Sequence, residues 1–261
     1  MQRRTFIAAS GAAATLPLQT LGRATNATDN RQYLELITYH TRVGEARDRV
    51  AEFYRTVALP AYRRLGVGPI GIFNTVFGPN APSLHVLVPH DTLESAVTIQ
   101  SRLLAEPTYS TEGAAFLGAQ LSDPAYVRQE RQLMVAFTDM PRVEAPGPAA
   151  AESRIFEFRI YESHSVVAGQ KKIAMFNEGG EIAIFRKTGL TPVFFGETLF
   201  GPRMPNLTYM LTFENMDARD RAWDRFRVDP DWLALRANPI YRDTVSAITD
   251  FILRPTPFSE I

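Results

Sequence analysis

Four histidines have the clearest capacity for acid–base or metal chemistry in this sequence: His40, His85, His90 and His164. His85 and His90, together with Asp91, supply the ligand types of a two-histidine, one-carboxylate metal site, but their five-residue spacing across a predicted strand end is not a metal-binding pattern. His40 and His164 each follow the first predicted strand of one half of the chain, where an imidazole can act as an acid, a base or a proton relay. Ordinary loop histidines are the simpler interpretation of that pair, and we predict no metal site.

A second set of candidates comes from the polar face of the predicted opening strands. Residues 155–161, and less clearly residues 33–39, alternate apolar and polar side chains, and alternate residues of a strand share one face. If the apolar face packs against helices, the polar face points into the space between two sheets, where charges must be paired or lie in a wet cavity. This face carries Glu35, Tyr39, Glu157, Arg159 and Tyr161. We assign the first four to a candidate ligand pocket, and an ion pair between Glu157 and Arg159 is the structural alternative.

Adjacent glycines interrupt the helix predicted over residues 166–188. Gly179 and Gly180 cost on the order of 2 kcal/mol in helix propensity, so a compensating feature is expected. One such feature is close packing of the helix on the sheet, and the other is a local break that directs Asn177 or Glu178 at a pocket. The first half has no such glycine pair, so this site would belong to the second half alone. We place Asn177 in the candidate ligand pocket and predict four candidate catalytic residues: Tyr161, His164, Glu178 and Arg186.

The composition and the motifs exclude several functional classes. The 261 residues include 28 Lys plus Arg and 28 Asp plus Glu, so a net charge of zero provides no attraction for nucleic acid. The chain has no cysteine, which excludes disulfides, thiolate metal sites and iron–sulfur clusters. Gly66, Gly68 and Gly71 match the spacing of a dinucleotide-binding loop, but they follow a predicted helix and precede a strand, the reverse of that motif's context.

The N-terminus has the pattern of an export signal. Arg3 and Arg4 precede a moderately apolar stretch, residues 7–18, and the small residues Gly22 and Ala24 follow it. Paired arginines before a short apolar region are typical of a twin-arginine signal, and a buried Ala-rich helix is the alternative. We predict that residues 1–24 are a signal peptide, that its removal leaves a net charge of −3, and that the mature protein is periplasmic or otherwise extracytoplasmic. No later run of about 18 apolar residues occurs, so we predict no integral membrane segment in the mature chain.

An internal duplication is the most informative feature of the remaining chain. Residues 65–79 align without gaps with residues 188–202, and six of the fifteen positions are identical. The same offset of 123 residues pairs Pro82 with Pro205 and Leu84 with Leu207. A repeat of this length indicates a duplicated domain, because solenoid repeats are much shorter. We place the first repeat at residues 32–141, a linker rich in proline and alanine at residues 142–153 and the second repeat at residues 154–257.

Both repeats are predicted to contain the same order of elements. These are an opening strand (33–39 and 155–161), a helix (45–65 and 166–188), two strands (70–77 and 84–88; 193–200 and 207–213), a second helix (92–104 and 217–226) and a closing strand (133–137 and 248–253). The order βαββαβ is that of a ferredoxin-like unit. Helices cover one face of such a sheet and leave the other bare, so two copies are expected to pack sheet to sheet. We therefore predict an α+β fold in which two tandem ferredoxin-like repeats form a pseudo-two-fold barrel within one chain.

Several of these segments resemble the NIPSNAP family. The resemblance lies in residues 154–161, in the two Phe-Gly-Pro turns at residues 77–79 and 200–202, and in residues 207–211 with the following 217–232. It extends over residues 32–257 and is weaker in the first half, where Ile37 stands in the position of Arg159. It implies tandem dimeric α/β-barrel domains and no settled chemistry. The wider superfamily includes cofactor-independent monooxygenases, haem-degrading enzymes and chlorite dismutases. Assigning any of these activities to this chain would be an analogy at the level of the fold.

Three functions are compatible with this sequence. The leading hypothesis is an exported protein that binds a small apolar or aromatic ligand in a pocket beside the sheet. The alternatives are a cofactor-independent monooxygenase or isomerase that uses the four candidate catalytic residues, and a structural or interaction module with a solid barrel. We predict no cofactor, although haem stays open, and no nucleic-acid partner, and the sequence leaves oligomerisation open. A cavity of about 300 Å³ or more would favour the first two functions.

Overall fold

The computed structural model describes residues 30–146 and 153–261. The predicted signal peptide, residues 1–24, lies outside the described residues, and so do residues 147–152 of the predicted linker. Eight strands are described: β1 Tyr33–His40, β2 Gly71–Phe77, β3 Ser83–His90, β4 Arg128–Ala136, β5 Ile155–Glu162, β6 Thr191–Phe200, β7 Asn206–Phe213 and β8 Ala247–Pro255. The described α-helices are α1 Glu45–Phe53, α2 Leu59–Arg64, α3 Leu93–Ala105, α4 Pro107–Glu112, α5 Ala114–Leu117, α6 Val166–Phe176, α7 Glu181–Thr188, α8 Met216–Val228 and α9 Pro230–Ala237.

The strands form one closed barrel in the order β1-β3-β2-β8-β5-β7-β6-β4. Each half contributes a four-stranded sheet, and the halves join edge to edge through antiparallel pairing of β2 with β8 and of β4 with β6. This pairing satisfies the backbone groups that would be unpaired at the four sheet edges. The predicted fold of two tandem ferredoxin-like repeats in an intramolecular α/β barrel is confirmed.

Side chains from both sheets fill the barrel interior. The largest contributors are Phe73, Phe156, Phe158, Phe194 and Met210, all of which are buried. Two further apolar clusters lie outside the barrel, each between one sheet and the helices of the same half. The apolar residues of each strand therefore serve two separate cores, one on either face of the sheet.

The two halves run in the same direction along the barrel. Four antiparallel steps separate β1 from β5 around the barrel, so these strands are parallel to each other. The β2–β3 and β6–β7 hairpins therefore lie at the same end, together with the C-terminal ends of β1 and β5. We call this the hairpin end. It brings loops of both repeats together at one opening.

Two predicted helices differ in detail from the structure. The helix predicted over residues 166–188 is two helices, because the chain turns at Gly180, whose φ of +80° suits glycine. A Cβ atom at Gly179 would lie 2.5 Å from the carbonyl oxygen of Met175, so this position also requires glycine. In the first half, a π-helical turn at Tyr54–Ala58 joins α1 to α2. No helix in residues 30–146 or 153–261 is long and apolar enough to cross a membrane.

Candidate functional site

The barrel interior opens to solvent at the hairpin end. The cavity there has a volume of about 50 Å³, and the surrounding groove, counted out into open solvent, has about 500 Å³. We call this space the barrel mouth. Its polar lining includes His40, His85, Glu130, Gln132 and Arg203, and its apolar lining includes Phe158, Ile160 and Phe251. This cavity is smaller than the roughly 150 Å³ of a closed cavity that binds benzene, and smaller than the roughly 300 Å³ that would favour the two ligand-binding functions. It can therefore hold only a small group of a ligand, and the rest of the molecule would lie in the groove outside it.

His85 lies on the inner face of β3 with every side-chain nitrogen engaged. Its Nδ1 is 3.1 Å from the hydroxyl of Thr38, and its Nε2 is 3.0 Å from that of Thr75 and 3.2 Å from that of Ser83. The ring also contacts Phe251, with centroids 5.3 Å apart. Burial, and secondarily the nearby His40, lower the pKa of His85 to about 3. His85 is therefore a neutral imidazole at physiological pH, with one donor and one acceptor nitrogen.

His40 ends β1 on the same face and is left with unused hydrogen-bonding capacity. Its Nε2 lies 3.3 Å from a carboxylate oxygen of Glu130, whose other oxygen is 2.8 Å from Nε of Arg128. Both ring nitrogens are buried, and within the described part of the chain neither has a partner with hydrogen-bond geometry. A buried polar atom without a partner is costly. His40 is thus available to a group that enters the barrel mouth.

The corresponding positions of the second half also form a hydrogen-bonded network. The 123-residue offset pairs Thr75, Ser83 and His85 with Thr198, Asn206 and Thr208. The side-chain amide of Gln132, on β4, lies among these three residues and donates to the hydroxyls of Thr198 (2.6 Å) and Thr208 (2.9 Å). Thr198 in turn donates to Asn206 Oδ1 at 2.6 Å. These polar groups satisfy one another, as those around His85 do, so among the described residues lining the mouth the buried unpartnered polar atoms are the ring nitrogens of His40.

The predicted orientation of the polar strand residues is wrong. Glu157 faces α8, where it accepts hydrogen bonds from Arg219 (2.8 and 2.9 Å) and from the indole nitrogen of Trp223 (2.7 Å). Phe156 and Phe158 point into the barrel instead. The reason is that α8 supplies the cationic and donor groups that a buried carboxylate needs, whereas the barrel interior is mainly apolar. The alternative interpretation, an ion pair between Glu157 and Arg159, is supported, because Arg159 Nη1 lies 3.4 Å from a carboxylate oxygen of Glu157.

The other predicted pocket residues also engage protein groups on the outer face. Glu35 lies 2.9 Å from Arg131 Nη1, and Arg159 lies 2.7 Å from a carboxylate oxygen of Asp250. The Tyr39 hydroxyl lies 3.1 Å from that of Tyr54. Because alternate residues of a strand share a face, these contacts place the whole polar face against the helices. The predicted pocket between the sheets therefore does not contain these side chains.

The structure does not bring the four predicted catalytic residues together. Tyr161 is packed against Tyr209, whose hydroxyl donates to it at 2.9 Å, and burial raises the pKa of Tyr161 to about 12. His164 and Glu178 are exposed. Arg186 is also exposed and pairs with both carboxylate oxygens of Glu144, at 2.7 and 2.9 Å. A catalytic role for these residues stays a prediction that the geometry does not support.

Asn177 stabilises the break between α6 and α7. Its Oδ1 accepts a hydrogen bond from the backbone N–H of Asp139 (3.1 Å), and its Nδ2 donates to the carbonyl of Ile173 (3.2 Å). The local break expected from the glycine pair is present, but Asn177 uses its side chain to satisfy backbone groups. Its place in a ligand pocket is therefore not supported.

His85 and His90 cannot share a metal ion, because they lie on opposite faces of β3. His85 points into the barrel, whereas His90 faces outward with Nδ1 3.0 Å from the Ser95 hydroxyl and Nε2 3.6 Å from Glu35. Their separation of five residues is odd, which places them on opposite faces of a strand. Residues 30–146 and 153–261 contain no group of three His, Asp or Glu side chains that could hold a metal.

Sequence reasoning missed several residues of the barrel mouth. Thr38, Thr75 and Ser83 surround His85, yet hydroxyl residues on a strand are too common to attract attention by themselves. A usable signal was the alternation of β1, because Leu36, Thr38 and His40 share one face. If this face of β1 is assigned to the barrel interior, Thr38 and His40 point toward His85 and its neighbours.

We expect Glu157→Gln to lower the free energy of unfolding by about 2 kcal/mol, since a charged acceptor of three hydrogen bonds is replaced by a neutral amide. Chemical denaturation of the variant and of Glu178→Gln, an exposed glutamate, provides the measurement and its control. Glu157 contacts α8 and not the barrel mouth, so ligand binding there should be unchanged. Equal stability of the two variants would contradict the structural role.

Comparison with known proteins supports the fold. Residues 156–260 match the NIPSNAP family model. Among solved structures, the chain is similar to a proposed monooxygenase from Lactobacillus acidophilus (TM-score 0.58, 8% identity, 86% of this chain and 94% of that chain). It is also similar to a proposed monooxygenase from Fusobacterium nucleatum (0.57, 6%, 86% and 92%) and to an anthrone oxidase-like protein (0.52, 9%, 88% and 93%). At such low identities the likeness concerns the fold alone. A search of curated proteins found no match.

Proposed function

We propose that the protein binds a small molecule at the barrel mouth, with a hydrogen-bonding group of the ligand beside His40 and its apolar part against Phe158, Ile160 and Phe251. One observation carries this proposal: both ring nitrogens of His40 are buried and lack a hydrogen bond within the described part of the chain, beside a cavity that opens to solvent. A ligand hydroxyl would satisfy one nitrogen, and the recovered hydrogen bond would favour binding.

The lining supports a ligand that is mostly apolar with a small polar group. The cavity of about 50 Å³ accommodates a group of a few atoms, and the rings of Phe158 and Phe251 belong to its apolar lining. Pockets for small molecules commonly combine an apolar wall with a few polar groups that orient the ligand. Phenol has this character and is a suitable first probe.

A second candidate function is oxygenation of such a molecule without a cofactor. The observation that favours it is the arrangement of His40 and Glu130, 3.3 Å apart, in which a carboxylate can orient an imidazole base. His40 would accept the proton of a ligand hydroxyl. The phenol itself would supply the four electrons that reduce dioxygen, so that one oxygen atom enters the ring to give a quinone and the other leaves as water. The similar barrels described as proposed monooxygenases agree with this reading at the level of the fold. Dioxygen consumption on addition of a phenol would favour this function over simple binding.

We expect phenol to shift the ring NMR resonances of His40 and His85 in the wild-type protein. His40→Ala should weaken phenol binding about tenfold, the effect of one lost hydrogen bond. His164→Ala provides the matched control, because His164 follows the opening strand of the other half and is exposed. Thermal unfolding of each variant verifies that it is folded. Unchanged affinity of folded His40→Ala, or the same loss in His164→Ala, would contradict the proposal.

A further inference from the structure

Arg203 at the tip of the β6–β7 hairpin lines the barrel mouth and has no role in the proposed function. The other arginine in the lining, Arg131, pairs with Glu35. Its Nη1 donates a hydrogen bond to the Thr249 hydroxyl at 2.9 Å. Thr249 alternates with Phe251, whose ring lies inside the barrel, so Thr249 is on the inner face at the start of β8. The guanidinium of Arg203, an exposed residue, therefore lies at the rim of the mouth.

The positive charge of Arg203 is not balanced by an ion pair. Within the described part of the chain no carboxylate lies within salt-bridge distance of it, and its one hydrogen bond goes to a neutral hydroxyl. Glu130, the carboxylate that lines the mouth, lies 2.8 Å from Arg128 Nε and 3.3 Å from His40 Nε2. A guanidinium has five donors in a planar fork that matches a carboxylate. Most of the Arg203 donors have no hydrogen-bond acceptor among the described residues.

The hairpin itself does not call for arginine at this position. Arg203 has a φ of +61°, a left-handed backbone that asparagine and glycine adopt more readily. The equivalent residue of the first repeat, 123 positions earlier, is Asn80 with a φ of +59°. The two hairpins thus have the same backbone at this position, and only the second places a charge at the mouth.

We infer that Arg203 selects ligands that carry a carboxylate, so that the ligand class of the barrel mouth is small hydroxylated aromatic acids. This inference rests on the proposed function, because the hydroxyl of such a ligand is assigned to His40. The carboxylate binds the guanidinium of Arg203 at one side of the mouth, and the aromatic ring lies between them against the apolar lining. The asymmetry between Arg203 and Asn80 then fixes the orientation of the ligand.

The test compares 4-hydroxybenzoate with phenol by isothermal titration. We expect the wild-type protein to bind 4-hydroxybenzoate about tenfold more tightly than phenol, as one charge-assisted contact allows. Arg203→Asn, which copies the first hairpin and suits its backbone, should remove this preference. Arg236→Gln, an exposed arginine on α9, is the control for a general effect of net charge.

The outcomes separate the two proposals. Absence of phenol binding to the wild-type protein would overturn the proposed function. Binding of phenol with no preference for 4-hydroxybenzoate, or a preference that persists in Arg203→Asn, would overturn the role of Arg203 and leave the proposed function intact. An equal loss in Arg236→Gln would show a nonspecific effect of charge and would also overturn it.

Discussion

Replacing Lys172 by methionine is expected to lower the free energy of unfolding by about 3–5 kcal/mol, because it leaves a buried carboxylate without its partner. Lys172 Nζ lies 2.7 Å from Glu181 Oε2 and 3.3 Å from the sulfur of Met175, and it is 4.4 Å from the centroid of the Phe176 ring. Lys172 is 4% exposed and Glu181 is 2% exposed. The pair joins α6 to α7 across the glycine break, so its loss also affects how these helices dock.

The pH dependence of the free energy of unfolding shows whether the unpaired Glu181 carboxylate causes this loss. Burial raises the pKa of Glu181, and Lys172 opposes that shift. Without Lys172, the native state retains a proton on Glu181 at a pH where the unfolded state has released it, so stability falls as pH rises. Denaturation of Lys172→Met should therefore show a larger loss at pH 8 than at pH 5.

Two further variants provide the controls for this pair. Lys171→Met changes an exposed lysine one position earlier in the same helix and should have little effect. The double variant Lys172→Met with Glu181→Gln removes both charges and should recover much of the stability. Equal stability of the Lys172 and Lys171 variants would show that the ion pair does not stabilise the fold.

Acidification is expected to destabilise the protein by about 4–5 kcal/mol through His85 alone. Burial lowers its pKa from the ordinary 6.5 to about 3. Between these two values the unfolded state binds a proton that the native state excludes, so stability is complete above pH 6.5 and falls as the pH decreases toward 3. The hydroxyls of Thr38, Thr75 and Ser83 supply no negative charge to offset the protonated ring.

Urea denaturation across this pH range measures the effect. In the His85→Gln variant, the glutamine side chain has no proton to gain but can still form hydrogen bonds with the surrounding hydroxyls. The free energy of unfolding of this variant should therefore fall by about 4–5 kcal/mol less than that of the wild type on acidification. His164→Gln removes an exposed histidine and should keep the wild-type slope. If His85→Gln and the wild type lose stability in parallel between pH 6.5 and 3, the buried histidine is not the source of acid sensitivity.

The duplication and the strand pattern were sufficient to predict the fold. The 123-residue offset and the βαββαβ order led to two ferredoxin-like repeats, because local hydrophobic periodicity determines which segments become strands and helices. The glycine pair at Gly179 and Gly180 marked the position where one predicted helix divides. These are local properties of the chain, and they depend little on what each segment packs against.

The candidate site was less accessible to sequence reasoning, for a physical reason seen at Glu157. Alternation along β5 defines two faces but not which one lies inside the barrel, since both faces are buried and each contains apolar residues. The decision rests with partners distant in sequence: Arg219 and Trp223 of α8, 62 and 66 residues away, draw the carboxylate to the helix side. The sequence by itself determined the repeats and the order of their elements. Only closure of the barrel, which joins strands and hairpins of both halves at one end, decided that His40, His85 and Arg203 share an opening.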